Sequence, residues 1–317
     1  MEKNKSYGIL PFIAYFNICF FWGTSAVANK IGATALGALT MGSVRFITAS
    51  FFVIIWLIIK KASLKMSKHD FIVLTFSGFM MYFLNTLLIL IVSRMVDSSI
   101  STVVLCIVSV YIILIDSIWQ RKMQVGLIGI IGIILCFIGV AITVIYELFS
   151  NTGSNPFGII LLIFTPICWG IGSVVLKNGN VKASSEQQLF IQSIVPAVLF
   201  TAITIISGAY KSADFTLPGV LAGMYMGVAD SIIGLGSFIF LLKIWRTSVV
   251  STYAFVNPIV GIFMSRLILG EAITANKVIG MLVILFGVYL IQNEKNIFKK
   301  LSVVYVKKQV KQQLKNQ

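Results

Sequence analysis

Charge is scarce in this 317-residue chain: 11% of it is Asp, Glu, Lys or Arg, against the roughly 25% that covers a soluble globular domain. Acid is scarcer still, with 10 Asp and Glu against 25 Lys and Arg, and histidine occurs once, at His69. There is no H-E-x-x-H, no G-x-S-x-G, no phosphate-binding Gly-rich loop and no acid cluster able to hold a metal. Hydrolytic, metal-dependent and ATP-driven chemistry therefore have no visible apparatus. The chain is not expected to be an enzyme, and no cofactor is expected. The four cysteines, Cys19, Cys106, Cys136 and Cys168, fall in apolar stretches without metal-ligand spacing, which excludes a disulfide framework and a zinc site and leaves small packing residues.

What is present is apolar. Hydrophobic residues make up 58% of the sequence and the mean hydropathy is +0.98, which excludes a soluble domain. Runs of about 18 to 25 apolar residues each suffice to cross roughly 30 Å of hydrocarbon as a helix, the form that satisfies every backbone polar group internally. Ten such spans are expected, at 11–29, 38–59, 71–92, 98–119, 125–146, 157–176, 188–207, 218–242, 248–269 and 277–293. The connections are too short for a soluble domain, so function belongs inside the bilayer.

The net charge of +15 follows the membrane rather than a nucleic acid. With the N-terminus in the cytoplasm, nineteen of the 25 Lys and Arg fall on that side, at the N-terminus (Lys3 and Lys5), in the loops around Lys60, Lys122, Lys182 and Lys243 and in the tail. Five fall opposite, at Lys30, Arg94, Lys211, Arg266 and Lys277, and Arg45 lies within a span. This asymmetry is the positive-inside signature of a multi-pass membrane protein with both termini cytoplasmic. The first span imitates a cleavable signal peptide, but its closing motif recurs in mid-chain, so it is expected to remain.

That motif is W-G-x-x-x-V-x-x-K, at Trp22–Lys30 and again at Trp169–Lys177, 147 residues on. A second echo sets Gly132 and Gly139 against Gly280 and Gly287, at an offset of 148. A five-span unit is thereby duplicated, and because five is odd the second copy enters the membrane from the other side. The expected fold is all-α and membrane-integral, ten transmembrane helices arranged as two inverted five-helix repeats. Residues 1–150 form the first repeat, 151–293 the second and 294–317 a basic cytoplasmic tail, with a Lys/Arg-free hinge at 147–155. Gly219, Gly223 and Gly227 form a small-residue ridge on the eighth span that calls for a neighbouring helix.

Asp230, near the middle of that span, must be paired, protonated or wet, because an isolated charge in lipid costs several kcal/mol. It reads as a proton-coupling or amine-binding carboxylate, or as a lock between helices. Trp22 and Trp169, each beside a glycine, offer broad faces to a solute or orient their helices. Asn17, Asn85, Tyr253 and Asn257 supply neutral hydrogen bonds, and Pro166, Pro196 and Pro258 interrupt spans. Arg45 needs a partner, structural or a substrate carboxylate. Asp116 can reach Arg121 or Lys122. Lys30 and Lys177, at span ends, read as snorkelling to headgroups.

The W-G-x-x-x-V-x-x-K motif, the Thr40–Phe46 segment ending in Arg45-Phe46, and the run from Asn257-Pro258 through Leu269-Gly270-Glu271 to Gly287-Val288 resemble the EamA-like branch of the drug/metabolite transporter superfamily. The resemblance covers nearly the whole chain. It implies two inverted repeats around a central cavity, alternating access, and export of small metabolites such as amino acids across the inner membrane. Asn257-Pro258 and Glu271 lack counterparts in the first half, which points to structural roles for them. The expected partners are a small-molecule substrate and the lipid bilayer, with protons as the coupling ion, no nucleic acid, and a monomer or homodimer as the assembly. An uncoupled facilitator or exchanger of another solute is the alternative, ahead of a membrane enzyme or lipid-handling scaffold.

Overall fold

The computed structural model describes residues 8–123, 125–149, 154–245, 247–250 and 252–294. The basic tail expected at 294–317 lies outside this set, apart from Glu294. Among the described residues the regular structure is helical: α1 (Leu10–Lys60), α2 (Lys68–Ser93), α3 (Ser98–Trp119), α4 (Leu127–Phe149), α5 (Pro156–Asn178), α6 (Ser185–Ser207), α7 (Leu217–Phe238, running on to Ile244), α8 (Tyr253–Leu269) and α9 (Ala275–Glu294). Eight of these are long and apolar enough to cross a membrane, and α8 is a shorter apolar helix.

The 51 residues of α1 would reach about 77 Å if straight, more than twice the hydrocarbon thickness. They do not run straight. Gly37 has φ 74° and ψ 161°, a region open to glycine and strained for other residues. The chain folds back there, for the Met41 side chain packs directly against Gly32, nine residues away and roughly 13 Å along a straight helix. The first two expected spans fall on two helical segments of α1, and a single glycine replaces the loop expected at 30–37. The ninth expected span, 248–269, is divided in the structure into a short Thr247–Val250 turn and α8.

Large apolar side chains cover the outside, with Ile206 85% and Phe149 88% exposed, while Thr24, Asn29, Ser43, Asn85 and Thr143 are buried. That distribution suits a lipid surround, where outward apolar groups cost nothing and polar groups must find partners inside. Small residues set the closest helix approaches. A Cβ built on Gly219, Gly223 or Gly227 would strike Ala35, Val44 or the Arg45 backbone, so the stretch of α1 from Ala35 to Thr48, across the Gly37 bend, lies against the expected ridge. Gly132 faces the Gly287 carbonyl and Gly139 the Gly280 carbonyl, with hypothetical Cβ distances of 2.6 and 2.7 Å. The two echoed glycine pairs therefore meet each other, α4 against α9, in antiparallel sense.

Candidate functional site

Two helices leave the α pattern where their residues turn inward. Phe79–Leu84 in α2 and Met226–Gly234 in α7 are π-helical, and the 147–148-residue offset maps one onto the start of the other. A π turn inserts an extra residue per turn and re-aims the side chains that follow, a device common at functional sites. In α7 it displaces Asp230 and Ser231, whose hydroxyl donates five residues back to the Met226 carbonyl at 3.1 Å.

Asp230 is paired. Arg45 Nη2 donates to its Oδ2 at 2.8 Å and lies 3.4 Å from Ser231 Oγ. The arginine side chain is 9% exposed and the aspartate side chain 17%. Arg45 Nε is buried without a hydrogen-bond partner. The pair joins the first half of the chain to the second, and Tyr82, on the π stretch of α2, is within electrostatic reach of both charges.

Each repeated tryptophan packs on the π stretch of the opposite half. Trp22 Nε1 donates to the Asp230 carbonyl at 3.2 Å, and its ring meets Tyr253 at 4.9 Å and Phe238 at 5.5 Å. Trp169 meets Tyr82 edge-on at 5.5 Å, and Tyr82 in turn meets Phe46, the neighbour of Arg45. Asn17 donates to Ser237 Oγ at 3.3 Å. The Asn257 amide, oriented to donate, reaches the Tyr253 and Cys19 carbonyls at 3.1 and 3.2 Å. Of the seven expected site residues, Asp230 belongs to the ion pair, and Asn17, Trp22, Tyr253 and Asn257 on one side and Trp169 on the other make up an aromatic and polar belt connected to it. Asn85 is buried three residues beyond Tyr82, and among the described residues no hydrogen bond ties it to the pair.

The belt lies between two charged clusters. In one, Lys30 Nζ lies 3.2 Å from Asp97 and 3.4 Å from Glu271, while the buried Lys277 lies 3.4 Å from Asp97 and 3.5 Å from Glu147. Glu271 also accepts from the Ser98 and Ser99 backbone N–H groups at 2.8 and 2.9 Å. Burial raises its pKa, but those two bonds and the Lys30 charge outweigh it and hold the carboxyl below the usual glutamate range. In the other cluster, Lys177 donates to Asp116 at 2.8 Å, helped by Asn178 at 3.0 Å and Gln120 at 3.0 Å. The clusters are far apart. Helix α5 begins beside the first, where Asn155 N donates to the Met95 carbonyl at 2.8 Å, and ends 23 residues on at the second, roughly 33 Å away.

These lysines, read from sequence as snorkelling, are ion-paired in the structure, Lys30 with Asp97 and Glu271 and Lys177 with Asp116. Asp116 is held by Lys177 and Asn178 from α5, where the sequence offers Arg121 or Lys122. Sequence reasoning missed Tyr82 and the Lys30–Glu271 link. Tyr82 stood at the position the 148-residue offset pairs with Asp230, and that offset was the one available signal.

The EamA-like transporter family matches the chain twice, over residues 10–145 and 156–292. The "Uncharacterized inner membrane transporter YedA" of Escherichia coli (strain K12) is 25% identical over 93% of this chain and 95% of its own length. The "Probable amino-acid metabolite efflux pump" of the same organism is 20% identical over 85% of this chain and 90% of its own. A solved structure titled "Crystal structure of protein" superposes with a TM-score of 0.60 at 15% identity, covering 88% of this chain and 95% of that one, which shows a shared fold. Helices that suit lipid, a matched duplication and transporter-named relatives agree: this chain belongs to the EamA-like transporter family.

Proposed function

We propose that the chain is a secondary transporter that exports amino acids or similar small metabolites by alternating access, through ten spans arranged as two inverted repeats. Counting α1 as two crossings, at residues 10–36 and 38–60, and α8 as one supports the ten. The observation that carries the reading is the exchange of tryptophans: Trp22 rests on the π stretch of α7 and Trp169 on that of α2. Such reciprocity is what a pseudo-two-fold axis in the membrane plane produces, with the Arg45–Asp230 pair near its centre.

In this reading the belt residues shape the pocket, Asp230 carries a proton or meets a substrate amine, and the clusters at Lys30 and Lys177 close opposite ends in turn. The membrane is the cell inner membrane, with both termini in the cytoplasm. The relative named as an amino-acid metabolite efflux pump supports the substrate class. One observation favours a second reading: an aspartate already neutralised by arginine has less need of a proton, which suits an exchanger or uncoupled facilitator.

Counterflow of radiolabelled amino acids into proteoliposomes tests both. Flux that responds to an imposed pH step and is lost in Asp230→Asn supports coupled transport. Flux indifferent to the step supports the facilitator, and absence of flux for a broad solute panel removes the transport reading.

A further inference from the structure

Arg45 is held in an unusual way for a buried arginine. Its Nη2 donates to Asp230 and faces Ser231, while Nε, on the same edge of the guanidinium, is buried with no partner. The Nε–Nη2 edge is one of the faces on which arginine binds a carboxylate through two parallel hydrogen bonds, and here it is half filled. Asp230 binds through Oδ2 alone and keeps 17% side-chain exposure, so it is the more accessible member. Trp22, which donates to the Asp230 backbone carbonyl, and Tyr253, which packs on Trp22, are partly exposed, as is Tyr225, hydrogen-bonded to Thr24 at 2.5 Å.

A buried ion pair is stable as a unit and unstable when either partner is withdrawn. This restricts what can open it. A cationic solute that took Asp230 would strand Arg45, and an anionic one that took Arg45 would strand Asp230. A solute bearing both an ammonium and a carboxylate replaces each partner with one of its own charges and leaves the sum at zero. No step then isolates a charge in the bilayer.

Resting on the transport reading above, we propose that the Arg45–Asp230 pair is the recognition point for zwitterionic solutes of the α-amino-acid type. The solute carboxylate lies on the Nε–Nη2 edge of Arg45 and its ammonium on Asp230. The internal pair re-forms when the solute leaves, so the empty carrier has no uncompensated charge as it returns.

The test uses the full-length protein in proteoliposomes and a panel of neutral amino acids, each with its C-terminal amide and its N-acetyl derivative. For any amino acid carried, the amide and the acetyl form should compete at least ~10-fold less well, since each lacks one charge. The double variant Arg45→Gln with Asp230→Asn removes both charges without stranding either and should lose amino-acid counterflow by ~10-fold or more. Equal competition by the derivatives, or wild-type flux in the folded double variant, overturns the proposal. If the double variant fails to fold, competition on the wild type decides alone. Carriage of other solutes but no amino acid overturns this inference and leaves the transport reading standing, whereas carriage of nothing at all removes both.

Discussion

The two charged ends of the bundle are built to different strengths. Around Lys30, two lysines and three carboxylates interlock, with Lys277 and Glu147 almost fully buried and Glu271 further fixed by backbone donors. Around Lys177 a single lysine, 60% exposed, reaches one buried aspartate. A buried network with several charged partners resists separation more than a single pair with one solvated member does. The Lys30 end is therefore the more heavily tied of the two in this structure, the asymmetry that the proposed alternating access asks of one state.

The largest effect should come from Lys277→Met. It removes the cation between Asp97 and Glu147 and should destabilise by about 3–5 kcal/mol, seen as a drop of roughly 10 °C in apparent Tm of the detergent-purified protein. A variant as stable as wild type would mean that this network does not fasten the end. Next comes Glu271→Ala, which strips acceptors from two backbone N–H groups and should cost about 1–3 kcal/mol.

Acid should weaken the same end. Because the Glu271 carboxyl is held below its ordinary value, its stabilisation is complete above the usual glutamate pKa of ~4.3 and is lost as pH falls through the depressed value. Thermal unfolding followed from pH 6 to pH 3 should show this loss, blunted in Glu271→Gln, and an undiminished acid response in that variant would assign it to another group. Lys177→Ala should change stability least, because Asn178 and Gln120 still donate to Asp116. Its effect should appear instead in transport, as altered access to the site from that side.

The spans were legible because lipid allows few solutions: a segment must be apolar for about 20 residues to cross as a helix. The repeat was legible because Trp22 and Trp169, and the glycines of α4 and α9, keep their spacing. Those glycines stand face to face, Gly132 on Gly287 and Gly139 on Gly280. The π stretches were not legible, since an apolar run such as Phe79–Leu84 carries no local signal for an i→i+5 turn and tertiary packing decides. Nor were the partners of Lys30 and Lys177, which lie 67 and 61 residues away in sequence, because position along a helix does not say which carboxylate another helix brings. Asp230 was singled out as costly in lipid, and Arg45 as needing a partner. That each answers the other emerged only from the packing of α7 on α1.

The claim on which the rest depends is that the motif helices point opposite ways across the membrane. Single cysteines at Arg94, an exposed residue beside the Lys30 cluster, and at Lys177, in a background with Cys19, Cys106, Cys136 and Cys168 replaced by alanine, measure this with a membrane-impermeant maleimide. The account predicts labelling at position 94 from outside intact cells and at position 177 only in inside-out vesicles. Labelling of both from the same compartment would contradict it.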